Sequence, residues 1–295
     1  MPPTLGQAPD DRSRLAGSTD GWPDDFHPCP VDPDCPHCQG TAVDPPDWSW
    51  VDAVYCISLR ERPDRAAAAA AELHRAGLCR RVLFHRPARH PTKVIEGIWE
   101  AHRAVLTHAL AADAETALVL EDDVHFTRRI TKALIARVEA TMRRLPDDWR
   151  IFFLGHWTFR ARFVAPRTLA TRSACAHAYV ASSTLMTWAA ERPFAARGKD
   201  IFRTAGGGID AAYAVQPGAY AYFPMLAIQA IRGSDHVAHK LRTRPVRKFR
   251  HILTRTRLNE IVISRLMRPN EVLMVGLGVI AGTGEWLRDR LRQRS

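Results

Sequence analysis

The pattern of apolar and polar positions divides the chain into three stretches. Residues 1–48 show no apolar periodicity and are dense in proline and acidic side chains, so they can bury little and read as a tail or linker. From Trp50 the character changes. Asp52–Leu59 is a short apolar run of strand length. A charged turn, Arg60–Pro63, follows, and Asp64 is placed to cap an alanine-rich helix that stops at Gly77. Arg81–Phe84 reads as a second strand. Gly97–Ala112 is predicted helical because Ile98, Ala101, Val105, Leu106 and Leu110 fall on one face. Ala117–Leu120 reads as a buried strand that runs directly into Glu121-Asp122-Asp123.

Beyond those acids, Thr127–Arg144 is predicted as a basic amphipathic helix and Asp148–Leu154 as a strand. Ala178–Ala181 is a short strand, with a helix over Ser183–Arg192. The glycines at Gly206–Gly208 form a loop leading into Ile209-Asp210 and a short helix, and Ala219–Phe223 is a last strand before Pro224. Strands that alternate with helices predict an α/β domain whose sheet is mostly parallel and covered on both faces. Residues 49–240 are assigned to it. Residues 241–295 form a basic, partly apolar region expected to be helical, with arginines crowded between Arg242 and Arg257. No internal repeat is visible.

Charge and cysteine content sharpen this picture. The 295 residues are 46% hydrophobic and carry a formal charge of +11, which attracts nucleotides, anionic lipid and nucleic acid alike. Met1–Asp25 lacks the apolar core of a secretory signal. Val272–Gly282 is shorter than the roughly 20 apolar residues of a membrane-spanning helix. These features predict a cytoplasmic protein. The basic C-terminal region suits peripheral contact at the inner membrane face, or equally a solvated helix packed on the domain. Cys56, Cys79 and Cys175 are scattered and read as reduced structural thiols. His27, Cys29, Cys35, His37 and Cys38 cluster, with enough soft ligands for a small structural Zn²⁺ site or, alternatively, a proline-rich loop with free thiols.

The strongest local signal is Ala117–Phe126, ALVLEDDVHF. A strand delivers three adjacent acids at its carboxyl end, where open α/β sheets bind ligands. Adjacent carboxylates repel unless a cation or hydrogen-bond donors compensate. A divalent cation bridging to a diphosphate supplies that compensation, and a solvated acidic loop is the plain alternative. Arg60, Arg62 and Arg65 follow the first strand and form a cationic loop suited to an anion or a solvated turn. His102 lies mid-helix, where a lone histidine is ordinarily structural.

Several segments resemble, in order, glycosyltransferase family 25, the lipopolysaccharide-type and collagen-type enzymes. They are VYCISLRERPDR (Val54–Arg65), GIWEAHRAVLTHAL (Gly97–Leu110), LVLEDDVHF (Leu118–Phe126), PDDWRIFFLG (Pro146–Gly155), AHAYVAS (Ala176–Ser182), GGGIDAAYA (Gly206–Ala214) and FPMLAIQAIRGSD (Phe223–Asp235). Ser58 stands where that family often has Asn, and Ala101 where it often has Ser. The resemblance implies a GT-A-like fold, a UDP-sugar donor with galactose a common sugar, Mn²⁺ or Mg²⁺, and transfer with inversion to a hydroxyl of a glycan, lipid-linked or other acceptor. On that reading Asp123 is the direct metal ligand, with Glu121 or Asp122 supporting the metal or holding the ribose. Arg65, which matches the family motif, and Arg62 hold the nucleotide or diphosphate, and His102 faces substrate. An inverting transfer needs a general base. Asp210 is the first candidate and Asp235 the second, each with a helix-capping role as its alternative. His236 and His239 are further metal-site candidates, more simply surface histidines.

Two other classes compete with this reading. A basic nucleic-acid-binding protein with a zinc site explains the charge and the cysteines, but strand-delivered acids would repel phosphates. A non-catalytic, family 25-like binding domain is the third reading.

Overall fold

The computed structural model describes residues 24–174, 176–194, 208–230 and 279–280. Asp235, His236, His239, Cys175 and all of 241–295 except Val279 and Ile280 lie outside the described residues. Eleven strands are described: β1 (Phe26–Pro28), β2 (Ala53–Ile57), β3 (Val82–His85), β4 (Thr116–Glu121), β5 (Val124–Phe126), β6 (Ile151–Phe153), β7 (Trp157–Ala165), β8 (Thr168–Ala174), β9 (Ala178–Ser182), β10 (Ala219–Tyr222) and β11 (Ala227–Gln229). The helices are α1 (Pro36–Gln39), α2 (Pro63–Arg75), α3 (Val94–Ala111), α4 (Lys132–Met142), α5 (Ser183–Ala190) and α6 (Ile209–Ala214).

Nine strands form one sheet in the order β1-β3-β2-β4-β9-β6-β10-β8-β7, while β11 and β5 make a separate pair. The expectation of a mostly parallel sheet is corrected here. Only β3–β2, β2–β4 and β6–β10 are parallel. The β1–β3, β4–β9, β6–β9, β10–β8 and β7–β8 pairs are antiparallel. The architecture is a mixed α/β sheet. The reason is local: β9 enters between β4 and β6 against both, and the β7–β8 hairpin extends the far edge.

The central strands are buried on both faces, so they read as continuous apolar runs rather than alternating ones. Their alternation is nonetheless strict in space. Val54, Cys56, Leu118, Leu120, Phe152 and Val180 face one side with Leu73 of α2 and Leu134, Ile135 and Val138 of α4. Ala53, Tyr55, Ala117, Val119, Ile151, Phe153 and Tyr179 face the other with Val105 and Leu106 of α3, Leu185 and Met186 of α5, and Tyr213 of α6. Pleat geometry requires this division.

Helix ends follow their side chains. Thr131 caps α4 by accepting from Leu134 N–H at 3.3 Å, and Ser182 caps α5 through Leu185 N–H at 3.4 Å. Asp64 sits inside the first turn of α2 rather than at its cap; Pro63 opens the helix and Arg62 holds the cap position. The helix expected from Thr127 begins only at Lys132, because Thr127 N–H donates to the Leu226 carbonyl at 2.9 Å beside the β5–β11 pair and Thr131 takes the cap position.

Residues 24–48 also depart from their reading as a tail. Phe26–Pro28 adds an edge strand to β3. Trp48 is 2% exposed, and its indole donates to the Ala76 carbonyl at 2.9 Å. Proline-rich sequence hid this order, which comes from packing rather than from periodicity. Among the described residues, no helix is long and apolar enough to cross a membrane.

Candidate active site

Parallel β2 and β4 end side by side, and their carboxyl ends open into a cavity of about 350 Å³. Backbone hydrogen bonds fix the acids there. Glu121 N–H donates to the His177 carbonyl at 2.9 Å, and Asp122 N–H to the Ile57 carbonyl at 3.0 Å. The Asp123 carbonyl accepts from Ala230 N–H at 2.6 Å, which ties the segment after β11 to the acidic turn.

The cavity is lined by Glu121, Asp122, Asp123 and Asp210, together with Arg62, Arg65 and His102. The fold thus gathers residues from β4, α2, α3 and α6. Arg65, in the first turn of α2, bridges Asp122 at 2.5 Å and Asp123 at 2.9 Å. Asp122 also accepts from the Ser58 hydroxyl at 2.8 Å. Arg62 lines the cavity but turns its guanidinium onto Asp64, at 2.9–3.0 Å. Arg60 is directed away, onto Asp25, and does not line the cavity.

His102 has both ring nitrogens engaged within the protein. Nδ1 meets the Tyr179 hydroxyl at 2.9 Å, and Nε2 meets Glu121 Oε1 at 3.2 Å. Tyr179 contacts the Tyr213 hydroxyl at 3.2 Å. Burial pushes the imidazole down to about 4, so it is neutral. When Glu121 is ionised it can only accept, so Nε2 carries the proton and Nδ1 accepts from Tyr179. His102 therefore orients Glu121 instead of presenting a free nitrogen to substrate. The other Glu121 oxygen accepts from Gln229 Nε2 at 3.4 Å.

The electrostatics are unbalanced. Burial, then repulsion from Asp210 and Asp122, pushes Glu121 up to about 8. Burial, then repulsion from Glu121, pushes Asp123 up to about 7, against the opposing pull of Arg65. Asp122 is also raised by burial, with Arg65 and Ser58 acting the other way. One oxygen of Asp123, Oδ1, is buried and has no hydrogen-bond partner. The donors here are all oxygen, one of them a partnerless buried carboxylate oxygen, which is the ligand type that Mg²⁺ and Mn²⁺ prefer.

Asp210 lies in the first turn of α6, where Gly208 holds the cap position. Its Oδ1 accepts from Ala176 N–H at 2.9 Å across the cavity wall. It is thus not the cap of its own helix, and it faces the same space as the β4 acids. Asp235 lies outside the described residues. Nothing in the sequence assigned a role to Tyr179, and it showed Gln229 only as part of the closing segment and Ser58 only as a departure from a motif. Their signal was weak, because each reaches the site through partners distant in the chain.

The cysteine cluster is also corrected. His27, Cys29 and His37 do not share a metal-sized space with Cys35 and Cys38. The structure brings His74 and Cys79 to those two cysteines instead. Cys79, read as an isolated structural thiol, is part of the group.

No family model and no curated protein matches the chain. Among solved structures, the crystal structure of A197 from STIV is similar at 11% identity, covering 60% of this chain and 84% of that one, with a TM-score of 0.36. A likeness that distant assigns neither family nor activity, and the functional reading stands on the residues around the cavity.

Proposed function

We propose that the protein is a metal-dependent glycosyltransferase that moves a sugar, galactose being the first candidate, from a UDP-sugar to an acceptor hydroxyl with inversion. The observation that carries this reading is the convergence of Glu121, Asp122, Asp123 and Asp210 on one cavity whose acids are short of positive charge. Asp123, with its partnerless Oδ1, would be the direct ligand of Mn²⁺ or Mg²⁺, and Glu121 the second. Such an ion supplies charge neutralisation to a departing diphosphate. Arg65, which bridges Asp122 and Asp123 at the cavity, would offer guanidinium donors to the diphosphate. Ser58 and His102 keep Asp122 and Glu121 in place throughout.

In the transfer step the Asp210 carboxylate takes the proton of the acceptor hydroxyl. That oxygen forms the new bond to the anomeric carbon, and the bond to UDP breaks with its electron pair leaving on the diphosphate. The acceptor is a glycan, lipid-linked or related hydroxyl, and the basic region at 241–295 would bring the protein to an anionic membrane face.

Calorimetric titration of UDP with Mn²⁺, with Mg²⁺ and with neither tests the reading, with ATP and a short DNA duplex as competitors. Metal-dependent, UDP-selective binding is expected. Asp123→Asn should weaken it by about tenfold or more while leaving the circular dichroism spectrum unchanged. Tight duplex binding without UDP binding would overturn the enzyme reading in favour of a nucleic-acid-binding protein.

A further inference from the structure

A second constellation lies apart from the cavity. Cys35 holds the cap position of the one-turn helix α1 and Cys38 lies within it, in a Cys-Pro-His-Cys segment. His74 is in the last turn of α2, and Cys79 follows five residues later, after Gly77 turns the chain with φ 69°. The four ligand atoms lie within 4.8 Å of one another. Cys38 Sγ is 3.5 Å from Cys79 Sγ and 3.4 Å from His74 Nδ1, and Cys35 Sγ is 4.0 Å from Cys79 Sγ. A tetrahedral zinc ion with bonds of about 2.3 Å to sulfur and about 2.0 Å to nitrogen separates its ligands by about 3.8 Å (S···S) and about 3.5 Å (S···N). The observed spacings match those edges.

A second observation, independent of the spacing, concerns the histidine. His74 Nε2 lies 3.1 Å from the Pro30 carbonyl. A carbonyl only accepts, so Nε2 carries the ring proton and Nδ1 presents its lone pair toward Cys38. A backbone acceptor behind the ring is the usual support of a metal-ligating histidine. Cys29 approaches His74 from that same Nε2 side, at 3.9 Å, which places it outside the ligand set. Cys35, His74 and Cys79 are buried, and four protein ligands leave no open position for a substrate.

From this geometry we propose that Cys35, Cys38, His74 and Cys79 form a closed, structural zinc site. It clips the segment carrying β1 and α1 to the far end of α2 and the turn before β3. Helix α2 carries His74 at one end and Arg65 nine residues earlier, about 13 Å away along its axis. The metal thus fixes one end of the helix whose other end reaches the cavity, without taking part in the chemistry there.

Metal analysis of the full chain, purified with no added metal from zinc-containing medium, tests the proposal directly. Stoichiometric zinc is expected in the wild type and in Cys29→Ala, and its loss in Cys38→Ser and Cys79→Ser. Exchange of the wild-type protein into Co²⁺ is expected to give intense d–d bands with thiolate charge transfer, the signature of a tetrahedral sulfur-rich site. This readout stands even if the cysteine variants fail to fold. Protein lacking stoichiometric zinc, zinc that survives Cys79→Ser, iron in place of zinc, or the weak bands of octahedral cobalt would each overturn it. None of these readouts depends on UDP binding.

Discussion

Two sets of buried ionisable side chains pull the stability of this protein in opposite directions with pH. His85, His102, His156 and His177 are pushed down to about 4 by burial. Between about 4 and 6.5 the unfolded chain binds their protons and the folded one does not, so stability rises with pH across that window. Glu121 and Asp123, raised to about 8 and about 7, act in reverse. Their folded forms hold protons that the unfolded chain has released, so they lose stability as pH rises toward 8. The four histidines outweigh the two acids below about 6.5, and above it only the acids act. In buffer free of Mn²⁺ and Mg²⁺ the melting temperature should therefore peak near pH 6.5. Glu121→Gln should flatten the fall on the alkaline side, and Mn²⁺ should raise the melting temperature most where that fall is deepest. Thermal melts from pH 5 to 8.5 check this; an alkaline limb of unchanged slope in Glu121→Gln would contradict the site electrostatics. The acids themselves were legible in the sequence because β4 ends in them. Their supporting partners were not, since Tyr179, Gln229 and Ala230 come from segments joined to β4 only by the fold.

At the level of elements, the readable parts were those whose order is intrinsic. The runs at β2, β4 and β6 are apolar throughout, since both faces are covered, and α3 shows its stripe. Short pieces stabilised by partners were missed. β5 and β11 have three residues each and exist by pairing with one another. The β7–β8 hairpin turns through Pro166 and Arg167, the latter at φ 64°, with no Asn-Gly signal. Trp48 tests the same point for residues 24–48. In a tail, Trp48→Ala would change little. Here it empties a buried site and removes the bond to Ala76, at the C-terminal end of α2, so a loss of about 3–5 kcal/mol is expected in denaturant unfolding. Gly155 is another element-level constraint. A Cβ there would lie 2.2 Å from His177 Nε2 and 2.5 Å from the Ala227 carbonyl. Gly155→Ala should cost about 1–3 kcal/mol by forcing apart β9 and β11, both of which flank the site, and its melting temperature should fall accordingly.

At the scale of the molecule, among the described residues, the main sheet is bounded by β1 on one side and β7 on the other, and the two edges differ in kind. β1 is three residues long and covers β3, whereas β7 is nine residues long, interrupted by irregularities beside Arg160 and Ala165. Such breaks and charges keep an outer strand from recruiting another chain. Removing residues 1–48 would strip β1, Trp48 and half of the cysteine group together. The truncated chain is expected to elute as aggregates in size-exclusion chromatography, where a chain that needs only 49–240 would elute as a well-behaved species. The strand order carries a kinetic consequence as well. Among the described residues, β7 and β8 are the one pair of neighbours in the main sheet joined by a tight turn. Every other contact in the main sheet closes a much longer span of chain, as when β4 waits for β9 and β6 for β10. Folding should start at the outer hairpin and reach the centre late and slowly. The carboxylates at the end of β4 would then come together only in the last stage, after most of the burial that stabilises the fold is already in place.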